Sequence, residues 1–269
     1  LVVGFGTRLQ DFTTGSRTLF DNPDRVLVQV NVSAFDAHKH GAEPLIDDAG
    51  VVLEALSAKL ADWWAPQAWR DRATADLVTW NAQADAVMAA SAVDLPSDAQ
   101  VIGAVWREMD EDTVVVCAAG GLPGELHRLW RTRRPGGYHV EYGYSCMGYE
   151  IAGGLGVKLA EPDREVVVMV GDGSYLMMNS ELATSILLGQ KLTVVVLDNH
   201  GFGCINRLQQ ATGSAPFNNL FEDTRHAALP AIDFRGHAEA LGAIAERVTT
   251  IDELEAALDR AKQNDRTTV

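Results

Sequence analysis

The chain is poor in cysteine and in positive charge, and it has no long apolar run. Its three cysteines, Cys117, Cys146 and Cys204, are an odd number, far apart and without Cys-x-x-Cys spacing. That pattern argues against a disulfide framework or a zinc site and suits reduced thiols in a cytoplasmic protein. Lys and Arg together number 22 against 37 Asp and Glu, a net charge of −15. Nucleic-acid binding wants clustered positive charge, so no nucleic-acid partner is expected. The same balance disfavours an anionic membrane surface, and no apolar stretch approaches the ~20 residues that span a bilayer. There is no complete Gly-x-Gly-x-x-Gly, and Gly4-Phe5-Gly6 is too short a match to claim a dinucleotide. A signal peptide, internal repeats and low-complexity tracts are also missing. What is present is 47% hydrophobic residues over 269 positions, enough for one large domain or two small ones.

Both ends read as cut through folded structure. Leu1-Val2-Val3-Gly4 begins as a strand already under way, and Asp265-Arg266-Thr267-Thr268-Val269 looks like the first residues of another. The expectation is an internal or C-terminal portion of a longer enzyme, itself truncated within its last domain. Residues 1–60 alternate strand (1–4), strand (26–32) and amphipathic helix (49–60), as in a Rossmann-like layer. Residues 61–96 form a connecting region. Its Trp63-Trp64-Ala65-Pro66-Gln67-Ala68-Trp69 cluster suits packing between domains, with a substrate role as the alternative. Residues 97–269 predict helices at 97–109, 123–131, 147–160, 175–189, 202–210, 234–241 and 251–263. Strands are expected at 113–117, 165–170, 193–198 and 244–248. That alternation predicts an α/β fold with a doubly wound parallel sheet.

Two apolar runs carry the chemistry. Val166-Val167-Val168-Met169-Val170 leads into Gly171-Asp172-Gly173-Ser174, and Val194-Val195-Val196-Leu197 into Asp198-Asn199-His200-Gly201. Each reads as a buried parallel strand, and ligands of open α/β sheets bind outside the carboxyl ends of such strands. Residues 174–197 between the two motifs allow a crossover helix and a return strand, so Asp172 and Asn199 are brought to one place. An Asp carboxylate, an Asn amide oxygen and backbone carbonyls are hard oxygen ligands, of the kind Mg²⁺ takes when it also holds a diphosphate. Gly171 and Gly173 allow close approach to a phosphate, and the N–H groups of the following helix would face the anion. Gly-Asp-Gly alone is also a common tight turn; the second strand at crossover distance favours a metal–diphosphate site.

The pair resembles the diphosphate signature of thiamine diphosphate enzymes, a Gly-Asp-Gly followed about two dozen residues later by an Asn pair, with Asp198 here in place of the first Asn. The resemblance implies metal ligation by Asp172, Asn199 and the backbone carbonyl of Gly201. Asp198 adds a carboxylate of no assigned role. Residues 3–11 resemble the end of the central domain of acetohydroxyacid synthase-like members, so residues 1–60 are expected to be the structural C-terminal part of that domain.

The loop 136–150 opens helix 147–160. By resemblance Met147 props the cofactor in its bent conformation, and the Ser145 carbonyl accepts a hydrogen bond from the aminopyrimidine; plain core filling is the other reading of Met147. Gly171, Gly173, Ser174, Gly201 and Phe202 complete the expected cofactor contacts. The phrase Glu-Tyr-Gly-Tyr-Ser-Cys-Met-Gly-Tyr-Glu (141–150) is more specific. With 117–126, 171–180 and 201–209, it is similar to the trihydroxycyclohexanedione hydrolase family of myo-inositol catabolism, in order along the whole chain. Departures gather in the Pro/Asn-rich segment 213–235.

That resemblance implies hydrolytic C–C cleavage between the carbonyls of a cyclic 1,2-diketone, giving an open-chain deoxyuronic acid, with thiamine diphosphate and Mg²⁺ as cofactors. It also implies an activating Glu on a domain outside residues 1–269. In this class that Glu usually comes from a partner subunit, so a homodimer or a dimer of dimers is expected. His139 and Glu141 are candidate acid–base or substrate groups, or ordinary loop residues. Cys146 and Cys204 have no neighbouring base and read as packing, and His226 and His237 as surface residues. Two other readings stay open: an acetohydroxyacid synthase-like carboligase or decarboxylase of 2-oxo acids, and a non-catalytic module.

Overall fold

The computed structural model of the protein describes residues 1–91, 95–229 and 231–269. The chain divides into two compact units, Leu1–Thr74 and Ala75–Val269. The first unit contains β1 (Val2–Phe5), α1 (Asp11–Thr14), β2 (Leu27–Val30), α2 (Ala34–Ala37), β3 (Glu43–Leu45) and α3 (Ala49–Lys59). Its strands are parallel in the order β1-β2-β3. The core is small, built on Leu9, Leu27 and Ala42. The fully buried Gln29 donates through Nε2 to the Thr7 carbonyl at 2.8 Å, while its Oε1 is buried without a partner. Asp48 caps α3 by accepting from the amides of Gly50 and Val51. β3 carries a proline at its centre and no apolar alternation, so it leaves no strand signal in the sequence.

The long helix α4 (Gln67–Met88) precedes α5 (Asp98–Glu108), β4 (Val114–Cys117), α6 (Gly121–Leu129), β5 (Tyr138–Val140), α7 (Tyr149–Ala160) and β6 (Val166–Gly171). Then come α8 (Asp172–Met177), α9 (Glu181–Leu187), β7 (Thr193–Leu197), α10 (Gly203–Ala211), α11 (Phe234–Ala240) and α12 (Ile251–Gln263). Among the described residues no helix is long and apolar enough to cross a membrane. The second unit's strands are parallel in the order β5-β4-β6-β7. Strand alternation divides the core between two faces. Val115, Cys117, Val167 and Met169 pack with α5, α6 and α12. Val114, Val116, Val166, Val168 and Val170 pack with Ile151, Leu155 and Leu182 of α7 and α9. Helices therefore cover both faces, as the alternation predicts. From β4 the chain steps outward to β5 and returns across to β6. This reversal opens a crevice at the carboxyl ends of β4 and β6.

Three expectations are corrected. The strand at 244–248 reduces to a single bridge between Ile244 and Thr268. Its partner segment, residues 267–269, is too short for a ladder, although on one side Ile244 donates to the Thr267 carbonyl and accepts from the Val269 amide, and on the other Val194 donates to the Thr268 carbonyl. The helix at 175–189 is two helices: Met178 takes an extended conformation (φ −152°), and the Asn179 side chain donates to the Tyr175 carbonyl, ending α8. The helix at 147–160 begins at Tyr149 because Gly148 sits in left-handed backbone (φ 91°). β5 is an addition; its three residues lie between glycines and a polar loop. A cavity of about 650 Å³ runs beside β7, lined by Val195, Val196, Val248 and Leu254 among others.

Candidate active site

The loops after β4, β6 and β7 and the loop before α7 enclose a second cavity, of about 200 Å³. Ser145 and Met147 reach it from the α7 side, Gly171, Asp172, Gly173 and Ser174 from the end of β6, and Asn199, Gly201 and Phe202 from the end of β7. The residues expected to hold the cofactor thus share one lining. The larger cavity meets this one at Asp98, Leu197 and Asn199.

Asp172 is 3% exposed. Its Oδ2 accepts the Gly201 amide at 2.8 Å, while Oδ1 is buried with no partner. Burial pushes its carboxyl pKa up; this outweighs the opposing amide hydrogen bonds from Gly201 and Gly173. A buried acceptor left without a donor costs about 1–3 kcal/mol, more when charged. The orphaned oxygen therefore fits a cation. A mixed set of carboxylate, amide oxygen and carbonyl is the donor chemistry a hard divalent ion takes beside phosphate.

The loop after β7 is bent by its own side chains. Asp198 Oδ1 accepts the His200 amide at 3.2 Å and lies 3.1 Å from His200 Nδ1. This Asx turn gives Asp198 the loop-shaping role that the sequence left unassigned. Gly201 follows at φ 141°, a conformation reserved for glycine, where a Cβ would strike the backbone of Asn219. Phe202 N donates to the Asn219 carbonyl at 2.8 Å and Phe221 N to the His200 carbonyl at 3.0 Å. Residues 219–221 of the 213–235 segment therefore hold the β7 loop; residue 230 of that segment lies outside the described residues. At Gly173 a Cβ would come within 2.7 Å of the Phe202 ring and 3.6 Å of Met147 Cε. Glycine at 173 leaves room for these two side chains to converge.

His139 and Glu141 do not line the cavity. His139 Nε2 is hydrogen-bonded to the Tyr149 hydroxyl at 2.7 Å, the two rings stacked. Glu141 accepts the amides of Cys146 (2.7 Å) and Tyr144 (3.0 Å), which hold its carboxyl below the usual carboxylate range. Both shape the loop that carries Ser145 and Met147. Ala119, Gly120, Gly121 and Leu122 also line the cavity. They were not among the expected contacts, although the rule that pointed to the ends of β6 and β7 applies equally to the end of β4. His237, read as a surface residue, instead bonds through Nδ1 to the hydroxyl of the buried Tyr175 at 2.9 Å. Cys117 is buried, which pushes its thiol up to about 11, Cys204 is half-buried and Cys146 exposed; none is disulfide-bonded.

A cavity at the carboxyl ends of parallel strands, with an orphaned buried Asp and glycines around it, is the architecture of a cofactor-binding α/β domain. Residues 118–269 match the family model "Thiamine pyrophosphate enzyme, C-terminal TPP binding domain", and the chain belongs to this family of thiamine diphosphate enzymes. It is 41% identical over 296 residues to a 3D-(3,5/4)-trihydroxycyclohexane-1,2-dione hydrolase of Bacillus anthracis, covering 98% of this chain and 46% of that protein. The protein of the same name from Halalkalibacterium halodurans is 39% identical over 292 residues, covering 100% and 46%. The chain thus spans about half the length of the curated relatives it matches. The fold is shared with a Rhodococcus jostii thiamine diphosphate-dependent 4-hydroxybenzoylformate decarboxylase, with a TM-score of 0.69 at 20% identity over 90% of this chain and 42% of that one.

Proposed function

We propose that this chain forms the diphosphate-binding half of a thiamine diphosphate- and Mg²⁺-dependent hydrolase that opens a cyclic 1,2-diketone, trihydroxycyclohexane-1,2-dione, between its carbonyls. The observation that carries the reading is the partnerless buried Oδ1 of Asp172, at a lining shared with Asn199 and Gly201. The identity of nearly the whole chain to hydrolases of that name supports the substrate class. Asp172, Asn199 and the Gly201 carbonyl would hold the cation. Glycines 120, 121, 171 and 173 leave the lining open to the diphosphate. Met147 and Phe202, converging over Gly173, would fix the bend of the cofactor, and the Ser145 carbonyl would orient its pyrimidine. Thiamine diphosphate, when bound, supplies a carbanion nucleophile and an electron sink for the C–C bond that breaks. His139 and Glu141 take loop-bracing roles in this reading.

The assembly is a homodimer. Leu176, Met177 and Met178 of α8 and the turn after it are 45%, 55% and 48% exposed. They abut the Met147 loop, a Cβ at Gly148 being 3.1 Å from Met178 Cβ, so a partner subunit covering them would also close the cavity.

The test uses the complete protein. Ring opening of the dione, followed by ultraviolet absorbance, should require both Mg²⁺ and thiamine diphosphate, and Asp172→Ala should abolish Mg²⁺-dependent cofactor binding in calorimetric titration. Release of carbon dioxide from pyruvate, with no ring opening, would instead assign the 2-oxo acid carboligase or decarboxylase reading.

A further inference from the structure

Among the described residues two acids are buried, Asp172 and Glu150. Glu150 lies in the first turn of α7 and is 1% exposed, with no ion-pair partner among the described residues. Its Oε1 accepts the Ala119 amide at 3.3 Å, and its Oε2 accepts the Gly148 amide at 2.9 Å. The Gly148 amide is shared with Ser174 Oγ at 3.3 Å. Ala119 opens the loop after β4, Gly148 follows Met147, and Ser174 follows Gly173. One carboxylate, with one hydroxyl, therefore ties together three of the segments that line the cavity.

A buried charge without a counter-ion is a poor way to gain stability, because taking it out of water is costly and an apolar side chain of similar volume does as well or better. The start of α7 offsets part of that cost, since free N–H groups there favour a negative side chain. What the carboxylate adds over an apolar residue is direction. It accepts from two loops at once, at fixed distances.

We propose that Glu150 is a positioning residue: its buried carboxylate fixes the height of Met147 against Gly173 and against the loop at Gly120, and so sets the bend of the cofactor. The proposal rests on the cofactor reading above, and its test is independent of the substrate. In the complete protein with Mg²⁺ and thiamine diphosphate, exchange of the thiazolium C2 proton is followed by quenched-flow proton NMR. Cofactor affinity and melting temperature are measured beside it.

Glu150→Gln offers one acceptor oxygen where two amides need one each, and turns its NH₂ toward an N–H. Exchange should slow by roughly 10- to 100-fold, as expected for a misplacement of up to about 1 Å. Affinity should stay near the wild-type value, and the melting temperature should fall only by the few degrees that one unpaired buried amide costs. Glu150→Asp keeps the charge on a shorter stem and should slow exchange to an intermediate degree; it supplies the reading if the Gln variant does not fold. Exchange at the wild-type rate in either folded variant overturns the proposal, as does a parallel loss of exchange, affinity and melting temperature, which would mark a structural role. A wild-type protein that takes up no thiamine diphosphate removes the cofactor reading, and this role with it.

Discussion

Met147 and Phe202 converge over Gly173, and neither has polar chemistry of its own to offer. Their contribution is shape. Met147→Ala should therefore leave thiamine diphosphate affinity nearly unchanged while kcat falls by on the order of a hundredfold. Steady-state kinetics beside a cofactor titration checks this, and an equal loss of both would mean that Met147 merely fills space. Asp172 and Asn199 were readable from sequence because each is a small polar residue at the end of an apolar run, where a parallel strand must stop. Glu150 was not, since an acid two residues after a glycine looks like an ordinary surface charge at a helix start; only the fold shows that two loops close over it. His139 and Glu141 drew attention as polar residues in a glycine-rich loop, but a tyrosine hydroxyl and two backbone amides occupy them.

The segment from Glu141 to Gly148 is a loop whose shape depends on a charge. Its amides at Tyr144 and Cys146 bond to Glu141, whose folded pKa lies below that of the unfolded chain. A lowered carboxylate pKa contributes order above the unfolded value, about 4.3, and loses it as the pH falls through the folded value. Amide exchange at Tyr144 and Cys146, corrected for intrinsic rates, should thus be protected above about pH 5 and lose protection in more acidic solution. Glu141→Gln, with one acceptor oxygen where two amides need one each, should lose part of that protection and show no pH step, and a pH-independent profile in the wild type would exclude the mechanism. β4 and β6 were legible because four or five successive buried apolar residues have few other places to go, and β7 because Val194-Val195-Val196-Leu197 is an equally unbroken apolar run, although only its start is fully buried. β5 was not: Tyr138 and Val140 pack on the core with His139 between them, but three half-buried residues are too few to imprint a pattern. The overreading at 244–248 has the opposite cause, since Ile244, Ala245 and Val248 are apolar enough for a strand while Thr267, Thr268 and Val269 offer them only a bridge. The break at Met178 lies within apolar residues whose spacing suits a helix throughout.

Leu176, Met177 and Met178 stand exposed beside the Met147 loop. For the homodimer proposed above, Leu176→Asp in the complete protein should shift sedimentation from dimer toward monomer on dilution and weaken cofactor binding along with it. Unchanged mass together with unchanged affinity would place the dimer contact elsewhere. The parallel order of the sheet was legible from alternation alone, whereas the way its edge is finished was not, because the finishing residues are far away in the chain. Thr193 pairs with Thr268, about seventy-five positions downstream, and the same three-residue segment holds Ile244. This long separation has a consequence during synthesis. Contacts so distant in sequence form late and slowly, so a nascent chain presents the outer edge of β7 unpaired until the ribosome has passed Val269. Over that interval the edge is open to pairing with another chain, the state in which aggregation competes with folding and a chaperone has most to protect.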